Sequence, residues 1–145
     1  HLISALDILP TICDYAGVQG PAGMHGQSLR PIIDRPEQSG HEYVVSEMAG
    51  GPTRSFMVRT KKYKYMVFPV ATGRKQELFF DMQADPGEMD NLAAQPAFAA
   101  EIERHRKLLA DWNELTREAG HPVRPGPGTA RTNARNNRAR QKKKS

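Results

Sequence analysis

The chain has 145 residues, one cysteine and a net charge of +5. That length allows about one domain. A single Cys excludes an internal disulfide and a CxxC-type zinc site, and no apolar run approaches the roughly 18 residues of a membrane span.

The chain begins at His1 without an initiator Met, and "HLISALDILPTI" already reads as the interior of a fold, so a C-terminal piece of a longer protein is expected. Residues 2–6 read as the end of a strand. Asp7 is then a candidate N-cap, and Pro10 falls in a first helical turn, where a missing N–H costs little. Ile8, Ile12, Tyr15 and Ala16 recur at helical spacing, and Gly17 follows as a C′ residue able to take positive φ. Cys13 lies within this stretch and reads as a small buried hydrophobe, with a reactive thiol the alternative. After a glycine-rich loop, Ser28 is a second N-cap candidate. Leu29, Ile32 and Ile33 give a short apolar face that Pro36 ends.

Strand signals follow at 42–47, 54–60, 63–69 and 76–81, each short and rich in β-branched or aromatic residues. The short connections imply antiparallel pairing. Tyr63, Tyr65 and Val67 alternate with Lys64, Met66 and Phe68, so the Lys64 face should be only partly exposed. Lys61-Lys62 is a poor two-residue turn, since type I′ needs positive φ at both positions, and a distorted hairpin is expected. The loop 46–55 carries paired glycines that allow close backbone approach. Glu47 and Arg54 are its candidate polar contacts for a substrate; an ordinary strand connection is the alternative.

The acid-rich stretch "ELFFDMQADPGEMDNL" raises a choice between a metal site and a turn. Counted from Asp81, an EF-hand pattern fails: position three is Gln83, six is Pro86 and twelve is Leu92. No His stands in the cluster to make a zinc set. Asp85 before Pro86-Gly87 is a turn signal: Asp accepts backbone N–H bonds, Pro sets φ and Gly permits φ > 0. Asn91 can cap the next corner while Leu92 tucks in.

A helix is expected from Pro96 to about Ala119, roughly 36 Å long. Phe98, Ile102, His105, Leu109, Trp112 and Thr116 form its apolar stripe, widened by Leu108 and Leu115. Such a helix is marginal alone and must pack on the sheet. Burial of Phe98, Ile102, Leu109 and Trp112 gives roughly 6–12 kcal/mol gross. The five histidines (His1, His25, His41, His105, His121) show no HxxxH pair and read as solvated or hydrogen-bonded. Lys61, Lys62 and Lys64 read as a solvated hairpin tip, with attraction of an anionic substrate the alternative.

From 121 to 145 there are eight Lys/Arg and no acid, which leaves 13 of the 21 basic residues against all 16 acids in the body, a balance of −3. The tail is a separate basic appendage, too poor in apolar residues to order itself. The first reading is a solvated extension with no dedicated partner; attraction of polyanions, including a sulfated polysaccharide, is the alternative. No aromatic follows Trp112, so base stacking and a nucleic-acid role find no support.

Four segments together resemble one family. "ELFFDMQADPGEMDNLA" is similar to the ELYDLxxDPxExxNLA signature of sulfatases of the alkaline-phosphatase superfamily. "ALDILPTICDYAGV" resembles their VDLLPTLLDLAGI segment, "MHGQSLRPII" their GxSLLPLL loop, and "VRTKKYKYMVF" their VRTGRYKYI hairpin. Order and spacing agree from Leu2 to Ala119. The relatives evoked include arylsulfatases, choline sulfatases and N-sulfoglucosamine sulfohydrolases.

The resemblance implies an α+β fold: a four-stranded antiparallel sheet with a long C-terminal helix packed on it, preceded by terminal helices of a larger α/β domain. Expected boundaries are 1–36 for the end of that domain, 37–120 for the subdomain and 121–145 for the tail. It further implies a sulfuric ester hydrolase using a formylglycine from a C/S-x-P-x-R motif and a calcium ion, exported to the periplasm or secreted. Neither the nucleophile motif nor the metal ligands map here; Cys13 is followed by Asp14-Tyr15-Ala16-Gly17. The expectation is an inactive fragment with no catalytic or metal-binding residue of its own, whose partner is the missing catalytic part. A phosphonate or phosphodiester hydrolase of the same superfamily, or a non-catalytic polyanion-binding module, are the alternatives.

Overall fold

The computed structural model describes residues 1–49, 54–69 and 75–118. Four strands, β1 (Tyr43–Ala49), β2 (Arg54–Thr60), β3 (Tyr63–Pro69) and β4 (Lys75–Asp81), form one antiparallel meander in the order β1-β2-β3-β4. The α+β fold read from the sequence is the fold observed, and each strand lies within a residue or two of its expected span.

Strand alternation sorts the side chains to two faces. One carries Val45, Val58, Tyr65 and Phe79, aligned in register across the sheet. On this face packs α3 (Ala99–Glu118), entered through a short 3-10 turn at Pro96–Phe98. Ile102 of α3 joins Val58, Tyr65, Val67 and Phe79 in the core, with Phe98, Leu108 and Leu109 packed against it. Trp112 meets Phe56 in a T-shaped contact at 6.2 Å. Leu115 departs from the expected stripe: it is 57% exposed and borders a cleft beside Tyr43 instead of entering the core.

Polar contacts fix the docking angle. Arg106 of α3 grips Glu77 of β4 with Nε to Oε1 at 2.9 Å and Nη2 to Oε2 at 2.6 Å, and the Tyr65 hydroxyl donates to the same carboxylate. Arg106 holds Glu77 below the usual carboxylate range, while burial pushes the Tyr65 phenol up, reinforced by Glu77. His105 is fully buried, with Nδ1 2.7 Å from Glu101 O and Nε2 3.1 Å from Thr60 Oγ1. Since a carbonyl only accepts, Nδ1 carries the proton and Nε2 accepts from Thr60. Burial lowers the His105 pKa, which keeps this core imidazole neutral.

The opposite face carries Met57, Lys64, Met66 and Phe68, all half-buried, as expected for the Lys64 face. The hairpin between β2 and β3 is distorted, also as expected. The ladder ends at Arg59↔Lys64, and Lys61 and Lys62 avoid positive φ. Thr60 Oγ1 instead closes the turn by accepting from Tyr63 N at 3.1 Å, and Arg59 Nη1 donates to Thr60 O and Tyr63 O.

The N-terminal segment differs from the sequence reading at its start. Residues 2–6 form no strand. Ser4 and Asp7 make a reciprocal capping box around a 3-10 turn at Ala5–Asp7, which uses the local backbone donors a strand would need for a ladder. Then come α1 (Ile8–Ala16) and the short α2 (Arg30–Asp34). Asp7 holds the N-cap position of α1 without a side-chain cap bond, because its carboxylate is engaged elsewhere. Gly17 ends α1 at φ 66, with Gly17 N to Asp14 O at 3.2 Å and Val18 N to Cys13 O at 3.0 Å, a Schellman pair. Leu29, not Ser28, occupies the N-cap of α2; Ser28 Oγ accepts from Arg30 N at 3.2 Å and donates to Asp14 at 2.6 Å, tying α2 to α1.

Candidate functional site

The acid-rich stretch is built as a turn. Asp81 Oδ1 accepts from Gln83 N at 3.0 Å and Ala84 N at 3.1 Å, and Asp85 Oδ2 accepts from Asp90 N at 2.9 Å. Asn91 Oδ1 accepts from Phe79 N at 2.9 Å and Ala93 N at 3.1 Å, while Leu92 N donates to Phe79 O at 2.8 Å. One detail departs from the expectation for Gly87: the left-handed residue is Glu88, at φ 57. Its N–H bonds to Asp85 O at 3.1 Å, and both carboxylate oxygens take Lys64 Nζ at 2.8 and 2.9 Å. Glu88 thus combines a long-range ion pair with a backbone conformation that a glycine would adopt freely. Lys64 is therefore anchored across the sheet, not loose at the hairpin tip. Lys62 reaches Asp81 at 3.5 Å.

These carboxylates do not fit a calcium cage. Among the described residues no three His, Cys, Asp or Glu side chains converge on one point. Asp81, Asp85 and Glu88 turn their oxygens to backbone N–H groups and to lysines. No step of a metal-assisted reaction is routed through them.

Glu47 and Arg54 come together, but with each other: Arg54 Nη1 lies 3.0 Å from Glu47 Oε1 at the mouth of the β1–β2 connection. Both remain partly exposed. Residues 50–53 of that connection, and the basic tail from 121 on, lie outside the described residues.

The sequence reading missed a polar hub. Asp7 is fully buried and its carboxylate gathers three partners remote from one another in sequence. Ser4 N donates to Oδ2 at 2.7 Å, Gln27 N to Oδ1 at 3.0 Å, and His41 Nε2 meets Oδ1 at 3.0 Å and Oδ2 at 2.8 Å. Burial opposes ionisation of Asp7, but the two N–H groups and His41 outweigh it and hold the carboxyl below its usual range. A Cβ on Gly26 would lie 2.0 Å from Leu6 O, so only glycine permits the backbone approach that brings Gln27 to Asp7. The Ser4-x-x-Asp7 spacing was the available signal, a capping box with Asp in place of Glu. His41, 34 positions away, left none. The hub forms one wall of a cleft of about 260 Å³, whose other walls include Tyr43, Trp112 and Thr116.

Comparison with known proteins gives the family. Residues 1–115 match the family model described as N-sulphoglucosamine sulphohydrolase, C-terminal. A Delta 4,5-hexuronate-2-O-sulfatase of Bacteroides thetaiotaomicron is 35% identical over 152 residues, covering 88% of this chain and 31% of that protein. An arylsulfatase of Clostridium perfringens is 31% identical, covering 85% of this chain and 27% of its own length. A protein solved in complex with its substrate D-glucosamine-2-N,6-O-disulfate superposes with a TM-score of 0.68 at 24% identity over 77% of this chain and 24% of that one. The phosphonate monoester hydrolase of Agrobacterium radiobacter superposes with a TM-score of 0.63 at 24% identity, over 81% and 25%. Both structural likenesses concern the fold alone. The chain thus spans about a third or less of its curated relatives. By the family match and by its identity to these relatives, the chain belongs to the sulfatases of the alkaline-phosphatase superfamily, in the family of N-sulphoglucosamine sulphohydrolase C-terminal regions.

Proposed function

We propose that this chain is the C-terminal scaffold of a hydrolase that cleaves sulfate esters or N-sulfates of a sulfated glycan. The observation that carries this reading is the uncovered apolar surface of the N-terminal segment. Ile8 is 57%, Ile12 58% and Tyr15 53% exposed on α1, with Leu6 and Ile33 nearby at 57% and 56%. Adjoining apolar residues this exposed mark an interface surface, and α1 with its flanking loop fits the end of a larger α/β domain whose remainder covers it. Residues 1–36 then belong to that domain, 37–120 to the subdomain and 121–145 to a basic appendage.

In this reading the nucleophile, a formylglycine, and a calcium ion belong to the preceding part of the enzyme. When bound, the ion would polarise sulfate oxygens and stabilise developing charge. The residues of this chain hold neither group; they shape and brace. Glu47 and Arg54 stand at the rim of the substrate cleft, and their mutual ion pair keeps Arg54 oriented until an anionic substrate competes for it. Arg54→Ala in the intact enzyme should raise KM, and unchanged kinetics would remove Arg54 from the site. The intact enzyme works in the periplasm or outside the cell.

The purified chain, given calcium and an aryl sulfate, should show no turnover. Turnover should appear when the upstream catalytic segment is supplied, and Ile12→Asp should abolish that recovery. Activity of the chain alone would overturn the proposal. The fold shared with a phosphonate monoester hydrolase favours a second reading, hydrolysis of phosphonate or phosphodiester substrates, which the same reconstituted enzyme tests with an aryl phosphonate. The basic tail serves as a polyanion contact; retention on heparin that persists after deletion of residues 124–145 would count against it.

A further inference from the structure

We propose that the cleft between the Asp7–His41 hub and the C-terminal end of α3 binds a pyranose ring, with His41 engaging a hydroxyl and Trp112 the apolar ring face. The inference rests on the glycan reading above and adds a specific place of contact on this chain. The cleft measures about 260 Å³, just below the usual range of ligand pockets and suited to one ring. Its walls are chemically mixed. Trp112 supplies an aromatic surface, braced on another side by Phe56 at 6.2 Å, and Tyr43 and Leu115 add apolar area. Ser4, His41 and Thr116 supply hydrogen-bonding groups.

The buried carboxylate decides what His41 can offer. Both Asp7 oxygens lie within 3.0 Å of Nε2. A carboxylate accepts and does not donate, so Nε2 carries a proton. Nδ1 is the ring's other polar atom, and the side chain is 21% exposed, enough to reach a ligand. A sugar hydroxyl can meet that nitrogen either as donor or as acceptor. Thr116 Oγ1 donates to Trp112 O at 3.0 Å, which leaves it lone pairs to accept from a second hydroxyl. Ser4 Oγ accepts from Leu6 N at 3.3 Å and keeps its own proton to donate. Hydrogen-bonding groups beside an aromatic wall match the polar rim and the apolar face of a sugar ring.

Trp112 is the chain's single tryptophan, so its fluorescence reports on this cleft alone. N-acetylglucosamine titrated into the full chain should change Trp112 emission saturably, with a dissociation constant of about a millimolar. Sodium sulfate should not. His41→Ala should weaken binding about fivefold to tenfold. Because that variant also leaves Asp7 without its imidazole, Leu115→Arg provides a second test: it obstructs the cleft from an exposed position, and circular dichroism checks its fold. Loss of binding in folded Leu115→Arg supports the site. Flat emission up to about 50 mM sugar, an equal response to sulfate, or undiminished binding in Leu115→Arg would overturn it. The measurement uses the chain by itself, so its failure would leave the hydrolase reading, tested by reconstitution, untouched.

Discussion

The two halves of the molecule treat their apolar residues in opposite ways. In the sheet and α3, Val58 and Phe79 are fully buried and Ile102 is 4% exposed. In the N-terminal segment, Ile8, Leu9 and Ile12 are each about half exposed, although α1 is a regular, well-terminated helix. The first half closes its own core. The second is held by polar bonds through Asp7, Thr11 and Asp14, and offers its hydrophobic side to something else. Regular secondary structure is therefore no guide to which part is complete; burial is.

The strongest way to sharpen this contrast is to cut equivalent side chains on both sides. Phe79→Ala should lower the unfolding free energy by about 3–5 kcal/mol in chemical denaturation. Ile12→Ala should change it by less than about 0.5 kcal/mol in the isolated chain. Similar losses at both positions would break the comparison. Next in size, Asp7→Ala should cost about 2–3 kcal/mol by leaving the Ser4 and Gln27 N–H groups and His41 without their acceptor.

The pH dependence follows from His105 and Asp7, whose folded pKa values both lie below their ordinary ones. Each contributes stability that is present above its unfolded pKa and is lost as pH falls towards the folded one. For His105 the loss begins near the ordinary value of 6.5, and for Asp7 only near 3.8. Thermal melts should thus soften below about pH 6, by up to about 1.4 kcal/mol for each pH unit traversed. His105→Phe should flatten that slope; an unchanged slope would place the titration elsewhere. The smallest effect is expected for Lys64→Met, at most about 1 kcal/mol, since the Lys64–Glu88 pair is partly exposed.

Much of the self-contained half was legible in the sequence. Tyr63, Tyr65 and Val67 alternate cleanly with Lys64, Met66 and Phe68, and the Ile102–His105–Leu109–Trp112 spacing is helical, so period alone gave element, face and partner. The acid-rich turn was legible because Asp, Pro and Asn act on backbone groups only a few residues away. Three things were not. The positive φ falls on Glu88, whose side chain pairs with Lys64, far off in sequence. Leu115 sits in the stripe but lines the cleft beside Tyr43 and Val45. The Asp7 hub depends on Gln27 and His41, contacts that no local pattern encodes. Glu47 and Arg54, read from the sequence as candidate substrate contacts, form an ion pair with each other.

The Asn91 bonds have a consequence for solubility. β4 is an outer strand, and an outer strand normally leaves free N–H and C=O groups that can recruit a foreign strand. At Phe79 both groups are already taken, the N–H by Asn91 Oδ1 and the carbonyl by Leu92 N. The returning chain thus imitates one rung of a fifth strand and withdraws that position from self-association. Asn91→Ala would reopen half of the rung and should show itself first as aggregation, before any loss of folding.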